Sequence, residues 1–319
     1  MNVLSLFDGL SCGHIALERA GIEVDNYYAS ELDKYAITVT QANYPKTIQL
    51  GDVTQWRKWD IDWASIDLLI GGSPCQGFSF AGKQLAFDDP RSALFFVYVD
   101  ILNHIKNLNP DVKFLLENVR MKKEYLTVIS EYLGVEPVFI NSALVSAQSR
   151  QRFYWANWHF EQPEDKGILL KDILEDDFVD RDKFHCIDAN YFRGGNLKSY
   201  FEKHRRQLVF QSAKDKNPLI QGDYLHFDPA GKGHFSQCNR VNLPESKHKS
   251  LSGTSGGNKH GVVIDKEELT YRKLTPTECE RLQTVEDNYT NHVSNTQRYK
   301  MLGNGWTVDV VAHIFKAMK

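Results

Sequence analysis

Nothing in this sequence approaches the roughly 20 consecutive apolar residues that a membrane-spanning helix requires, and no internal repeat or low-complexity linker interrupts it. Cysteine is scarce: Cys12, Cys75, Cys186, Cys238 and Cys279 are odd in number and never spaced as C-x-x-C. That pattern argues against a disulfide framework and against a zinc site, so no metal is expected and each thiol must be judged alone. Neither G-x-G-x-x-G nor G-x-x-x-x-G-K-[ST] occurs, which disfavours dinucleotides and ATP as ligands. The first residues carry no basic segment and no small-residue cleavage site, and predict an unprocessed, cytoplasmic protein with no membrane partner.

What is present suits a globular protein with a sizeable core: 319 residues, 42% hydrophobic and 25% charged. That length allows one large domain, or one with a smaller insertion. The net charge of −3 conceals an asymmetry. Residues 181–273 hold 17 Lys and Arg against 10 Asp and Glu, a local +7, which leaves 21 against 31, or −10, for the rest. Six of the eleven histidines lie in the same stretch. A basic segment in an acidic chain is what a phosphate-facing region would show, although a solvated positive surface would show it too.

Along the first 160 residues, apolar runs of strand length alternate with helical patterns. Strands are predicted over Val3–Phe7, Val24–Ser30, Thr47–Leu50, Ile66–Ile70, Phe114–Leu116, Val138–Val145 and Arg152–Trp158; helices over His14–Ala20, Asp33–Ala42 and Ser92–Asn107. Such alternation implies a mainly parallel sheet covered on both faces. Beyond Glu161 the composition turns to Gly, Asn, Ser, Lys and His, with short β-like pieces such as Gln207–Phe210, and predicts a smaller, loop-rich β domain. Helical pattern returns over Thr275–Val285, with Thr277 as the expected N-cap and Glu280 three residues on, and again over Val308–Met318.

Ligands of an open parallel sheet bind beyond the carboxyl ends of its strands. Five such ends carry polar or glycine residues here: Phe7-Asp8-Gly9, Glu31, Asp52, Ser73-Pro74-Cys75 and Glu117-Asn118. Carboxylates at Glu31 and Asp52 suit ribose hydroxyls and the exocyclic amine of an adenine. A lone cysteine is more often a small buried hydrophobe, but Cys75 follows a proline in a polar, glycine-rich loop where a thiolate could be exposed. Glu117 would face the same cleft, unless it merely caps a turn.

Three ordered motifs, Gly72-Ser73-Pro74-Cys75-Gln76-Gly77-Phe78-Ser79, Glu117-Asn118-Val119 and Gln148-Ser149-Arg150-Gln151-Arg152, resemble the signature of the DNA cytosine-5 methyltransferase family. Phe7–Gly13 looks like its cofactor loop, and Arg91–Phe95 like the segment after the catalytic loop. Arg272–Gln283 and Gly303–Val308 resemble the last two motifs. The final motif usually reads Gly-Asn-Ser/Ala-Val. Here Gly305-Trp306 intervenes, which is similar to the catalytic domain of the vertebrate de novo enzymes, while Gln76–Ser79 has the bacterial and phage form.

The resemblance implies a Rossmann-like α/β methyltransferase sheet at 1–165 and 272–319, with a loop-rich β target-recognition domain at 166–271. It implies transfer of a methyl group from S-adenosyl-L-methionine, leaving S-adenosyl-L-homocysteine, to C5 of a cytosine flipped out of double-stranded DNA, as in restriction-modification systems. Cys75 would be the nucleophile, with Glu117, Arg150 and Arg152 acting on the base. Phe7, Asp8, Gly9, Ser11, Cys12, Glu31, Leu32, Asp52, Val53, Pro74, Leu94, Asn304 and Trp306 would hold the cofactor. Gln76, Ser79, Arg193, Arg240 and Thr254 would meet DNA, with Lys198, Lys203, Arg205, Arg206, Lys247 and Lys249 as further phosphate candidates. A monomer is expected. Two rival readings are a transfer-RNA cytosine-5 methyltransferase, whose usual Gln-Pro-Phe after Pro-Cys is absent, and a non-catalytic DNA-binding regulator.

Overall fold

The computed structural model describes residues 1–73, 93–177, 179–194, 200, 206–210, 218–221, 224–227, 240–242 and 271–318. Seven strands form the main sheet: β1 (Asn2–Leu6), β2 (Asn26–Ser30), β3 (Ile48–Gln49), β4 (Leu68–Gly71), β5 (Lys113–Val119), β6 (Val138–Asn141) and β7 (Gln151–Ala156). Their order is β3-β2-β1-β4-β5-β7-β6. β7 is antiparallel to both its neighbours, and every other pairing in this sheet is parallel.

Strand side chains alternate between two hydrophobic layers, because successive residues point to opposite faces. Val3, Leu68, Ile70 and Leu115 enter one cluster, with Ile15, Ala16 and Leu17 of α1 (Cys12–Arg19). Leu4, Leu6, Leu69, Phe114 and Leu116 enter the other, with Phe95, Tyr98 and Leu102 of α3 (Ala93–Leu108). Burial on both faces is why β4 reads as an uninterrupted apolar run. The remaining helices are α2 (Lys34–Asn43), α4 (Lys123–Leu133), α5 (Pro276–Leu282), α6 (Asn295–Asn304) and α7 (Val308–Lys316). The chain thus adopts the Rossmann-like α/β architecture expected from its sequence.

Helix α7 lies against α1, where Val308, Val311, Ile314 and Phe315 join the α1 cluster. Arg19 clamps the two helices together by donating to Asp309 at 2.7 Å. Beyond the main sheet, β8 (Leu208–Phe210) pairs antiparallel with β12 (Tyr271–Lys273). A separate antiparallel sheet has β10 (Tyr224–Phe227) between β9 (Pro218–Gln221) and β11 (Arg240–Asn242). Among the described residues no helix is long and apolar enough to cross a membrane.

Several local expectations are corrected. The N-cap of α5 is Thr275, not Thr277: its hydroxyl accepts from the Glu278 N–H at 3.1 Å, and Glu278 reaches back to the Thr275 N–H at 2.8 Å. Pro276 at the first helical position fixes this start, since its missing N–H costs nothing there. The strand expected to run to Val145 stops at Asn141, whose side chain accepts from the Ala143 N–H and turns the chain into a 3-10 turn. Two helices, α4 and α6, lie where the sequence reading assigns none, and neither has a side-chain N-cap hydrogen bond.

Candidate active site

The sheet reverses its winding between β1 and β4, and the crevice beyond their carboxyl ends is where such folds bind ligands. The loop after β1 has left-handed backbone at Phe7 (φ 58°), Gly9 (φ 61°) and Ser11 (φ 60°). Only glycine adopts this region freely, so Phe7 and Ser11 are held there by their surroundings. The Asp8 N–H donates to Ser30 at 3.1 Å, the Ser11 N–H to the Asp8 carbonyl at 3.1 Å, and the Gly9 N–H to Glu31 Oε2 at 2.8 Å. The Asp8 carboxylate accepts from the Ser11 hydroxyl and, at 2.8 Å, from the Tyr27 hydroxyl. Burial pushes its pKa up to about 6, against the lowering effect of those two donors.

Glu31 is a second organiser of this loop. Its Oε1 accepts from the N–H groups of Leu32 and Asp33 at 2.7 and 2.8 Å. A carboxylate offers about four acceptor positions, so with the Gly9 N–H in place there is room for one more donor. Gly9 has nothing within 4 Å of where a Cβ would stand, so the loop backbone is open to close approach. Asp52 Oδ1 caps the 3-10 turn Val53–Lys58 by accepting from the Thr54 N–H and hydroxyl, both at 2.9 Å. Val53 is buried behind it, and Leu32 is exposed. Phe7 and Leu94 pack against the same apolar layer. A hydroxyl-accepting carboxylate, an open glycine and flanking apolar residues fit a nucleoside-bearing cofactor.

Glu117 sits near the end of β5, where it is 8% exposed. Its Oε1 lies 2.7 Å from Arg152 Nε, and its Oε2 accepts from the Trp306 indole N–H at 3.1 Å. The β5–β7 register creates the first contact by setting Val119 opposite Arg152. Asn118 reaches the Ser73 hydroxyl at 3.3 Å, so β5 also touches the segment that leads toward Cys75. Pro74, Cys75, Gln76, Ser79 and Thr254 lie outside the described residues.

Arg150 is engaged elsewhere. This buried guanidinium donates to the carbonyls of Ile187 (3.2 Å), Gly303 (3.3 Å) and Gly305 (2.8 Å), and to Cys186 Sγ at 3.3 Å. Gln148 and Gln283 complete the frame, two residues with no role assigned from sequence although both lie in recognised motifs. Gln148 donates to Gln283 Oε1 at 2.8 Å, and Gln283 donates to Leu302 and Gly305 at 2.6 and 3.1 Å. Thr307 adds a hydrogen bond to Gln283 at 3.0 Å. The frame fixes Gly303–Thr307, leaving Asn304 exposed and Trp306 half-buried over the cleft.

The space around Gly305 is tight. A Cβ there would stand 3.3 Å from Cys12 Sγ, from Leu10 Cδ2 and from the Met301 carbonyl. Cys12 donates to the Trp306 carbonyl at 3.6 Å, and burial pushes its thiol up to about 12. Burial also raises the Cys279 thiol. Burial thus disfavours the thiolate in both, and neither suits a nucleophile. Farther away, Arg193 is exposed with its guanidinium 5.2 Å from the Phe192 ring, and Arg240 begins β11.

Comparison with known proteins places these observations. The model of the family described as C-5 cytosine-specific DNA methylase matches residues 1–319. The chain is 29% identical to the type II methyltransferase M.NlaX of Neisseria lactamica, over 99% of this chain and 96% of the relative. It is 28% identical to the type II methyltransferase M.HhaI of Haemophilus parahaemolyticus, over 98% and 93%. A solved structure of Spodoptera frugiperda DNMT2, a triple mutant, shares the fold with a TM-score of 0.62 at 21% identity, covering 99% of both chains.

Proposed function

Because the chain belongs to the C-5 cytosine-specific DNA methylase family, we propose that it methylates C5 of a cytosine flipped out of double-stranded DNA, through a covalent bond from Cys75 to C6. The observation that supports this reading best is the Glu117–Arg152 pair at 2.7 Å, with Glu117 on the strand whose Asn118 bonds Ser73, two positions before Cys75 in the sequence.

Cytosine C5 is too weak a nucleophile to accept a methyl group unaided. Addition of the Cys75 thiolate to C6 makes C5 an enamine-like carbon nucleophile. Glu117 bonds the N3 and N4 edge and keeps N3 protonated, which neutralises charge developing in the ring. Arg152 stabilises the same charge at O2. Once C5 carries the methyl group, loss of its proton to water expels the thiolate from C6. Groups on separate strand ends converge on one planar base only if that base leaves the duplex, at a cost of a few kcal/mol in unstacking.

S-Adenosyl-L-methionine supplies the sulfonium methyl. Phe7 and Leu94 would border its adenine, Glu31 its ribose and Asp52 its amine, with Leu32 and Val53 beside them. Asp8, Gly9, Ser11, Cys12, Pro74, Asn304 and Trp306 would surround the methionine end. Arg150, by holding Gly303 and Gly305, would shape that wall from behind. Residues 166–271 would recognise the target, with the local positive charge drawn to phosphates and Arg193 and Arg240 among the contacts.

Bisulfite sequencing of plasmid DNA from cells expressing the wild type or Cys75→Ser tests the reading. Protected cytosines with shared flanks, present only with the wild type, are expected. Methyl transfer to transfer RNA with no protected plasmid cytosine would overturn the assignment of DNA as substrate.

A further inference from the structure

On the reading of Glu117 as the carboxylate that meets the base, its partner Trp306 has so far been given a place only in the cofactor wall. We propose that Trp306 is a positioning residue for Glu117, its indole N–H fixing the plane in which the carboxylate meets the cytosine edge.

Glutamate loses substantial rotamer freedom when it is held in one pose, and one partner cannot fix both rotation and tilt of its terminal group. Arg152 holds Oε1 and Trp306 holds Oε2, so the carboxylate is gripped at both ends. An indole suits this task because its single N–H donates only, in one direction set by the ring. The ring is itself held. Trp306 follows Gly305, whose carbonyl accepts from both Arg150 and Gln283, and its own carbonyl accepts from Cys12. The buried frame of Gln148, Gln283 and Arg150 therefore ends at the indole. Gly72 leaves the meeting place clear: a Cβ there would stand 2.9 Å from the indole nitrogen and 3.0 Å from Glu117 Oε2. At Gly13 a Cβ would make only ordinary contact with Trp306, at 3.6 Å, and its close approach would be to the Ile70 side chain.

The test is a double-mutant cycle on single-turnover transfer of tritiated methyl from S-adenosyl-L-methionine to unmethylated plasmid DNA. Trp306→Phe keeps a ring and removes the N–H. It should slow transfer about tenfold to a hundredfold, the range for a hydrogen bond to a charged group. Because the ring that borders the cofactor is kept, cofactor affinity should stay within about threefold. In a Glu117→Ala background the same change should cost less than about threefold, because two groups that act through one contact are not additive. Gly72→Ala, which retains both partners but wedges a methyl between them, should reproduce the loss if Trp306→Phe fails to fold. Equal cost of Trp306→Phe in both backgrounds, or a rate loss matched by lost cofactor affinity, would overturn the proposal. If Glu117→Ala transfers methyl at the wild-type rate, the reading of Glu117 beneath it fails first, and the proposal with it.

Discussion

The Arg150 guanidinium donates to the carbonyl oxygen of Gly305 at 2.8 Å, and that bond separates it from Arg152, which lies 2.7 Å from Glu117. Two arginines two positions apart thus make different contacts. Arg150→Met fills the space but leaves the carbonyls of Ile187, Gly303 and Gly305 without this donor. It should lower the unfolding free energy by about 2–4 kcal/mol. Arg152→Lys keeps a cation beside Glu117 and should retain most of that stability, yet lose about tenfold or more in methyl transfer because the planar fork is gone. Urea denaturation with parallel rate measurements would separate them; wild-type stability in Arg150→Met would remove its scaffold role.

Glu117→Gln should reduce methyl transfer about a hundredfold to ten-thousandfold, with duplex affinity little changed. Filter binding beside single-turnover assays gives both numbers. An equal fall in affinity would make Glu117 a residue of the DNA surface and not of the chemistry.

Asp8 carries a pH signature. Its folded pKa of about 6 lies above the ordinary carboxylate value, and burial is the largest cause. The protonated form is therefore favoured in the native state, and the stability this confers is present at low pH and lost as pH rises through about 6. Asp8→Asn lacks that loss. The melting temperature of the variant minus that of the wild type should become more positive between pH 4.5 and pH 7.5. A difference that stays flat over this range would contradict the buried, raised carboxyl.

The start of α5 offers a local check. Thr275→Ala removes a reciprocal cap and should cost about 1 kcal/mol. Thr277→Ala, within the first turn, should stay within about 0.5 kcal/mol. Chemical denaturation of both variants decides it, and a larger loss at Thr277 would return the cap to that position.

Much of the site was legible because burial of a parallel sheet on both faces forces apolar runs that break off abruptly. Ile66–Ile70 stops at Gly71-Gly72, and the observed strand is Leu68–Gly71. Residues at or just beyond strand ends, such as Asp8, Glu31 and Glu117, stood out because a polar side chain at the end of such a run has few structural uses. The error at Thr277 shows the limit of local pattern. Thr277 and Glu280 have capping-box spacing, but Glu280 is buried and accepts from Asn288, Thr290 and Arg298, groups that no short window contains.

By itself the sequence determined the family, the α/β alternation and the order of the motifs, since each depends on residue type and near spacing. Only the tertiary structure decided which groups meet. Glu117 and Arg152 are brought together by strand register, and Trp306 reaches Glu117 from 189 residues away. Those contacts depend on how a buried polar frame satisfies its own donors and acceptors, a condition set by every residue in the frame at once and written in no single motif.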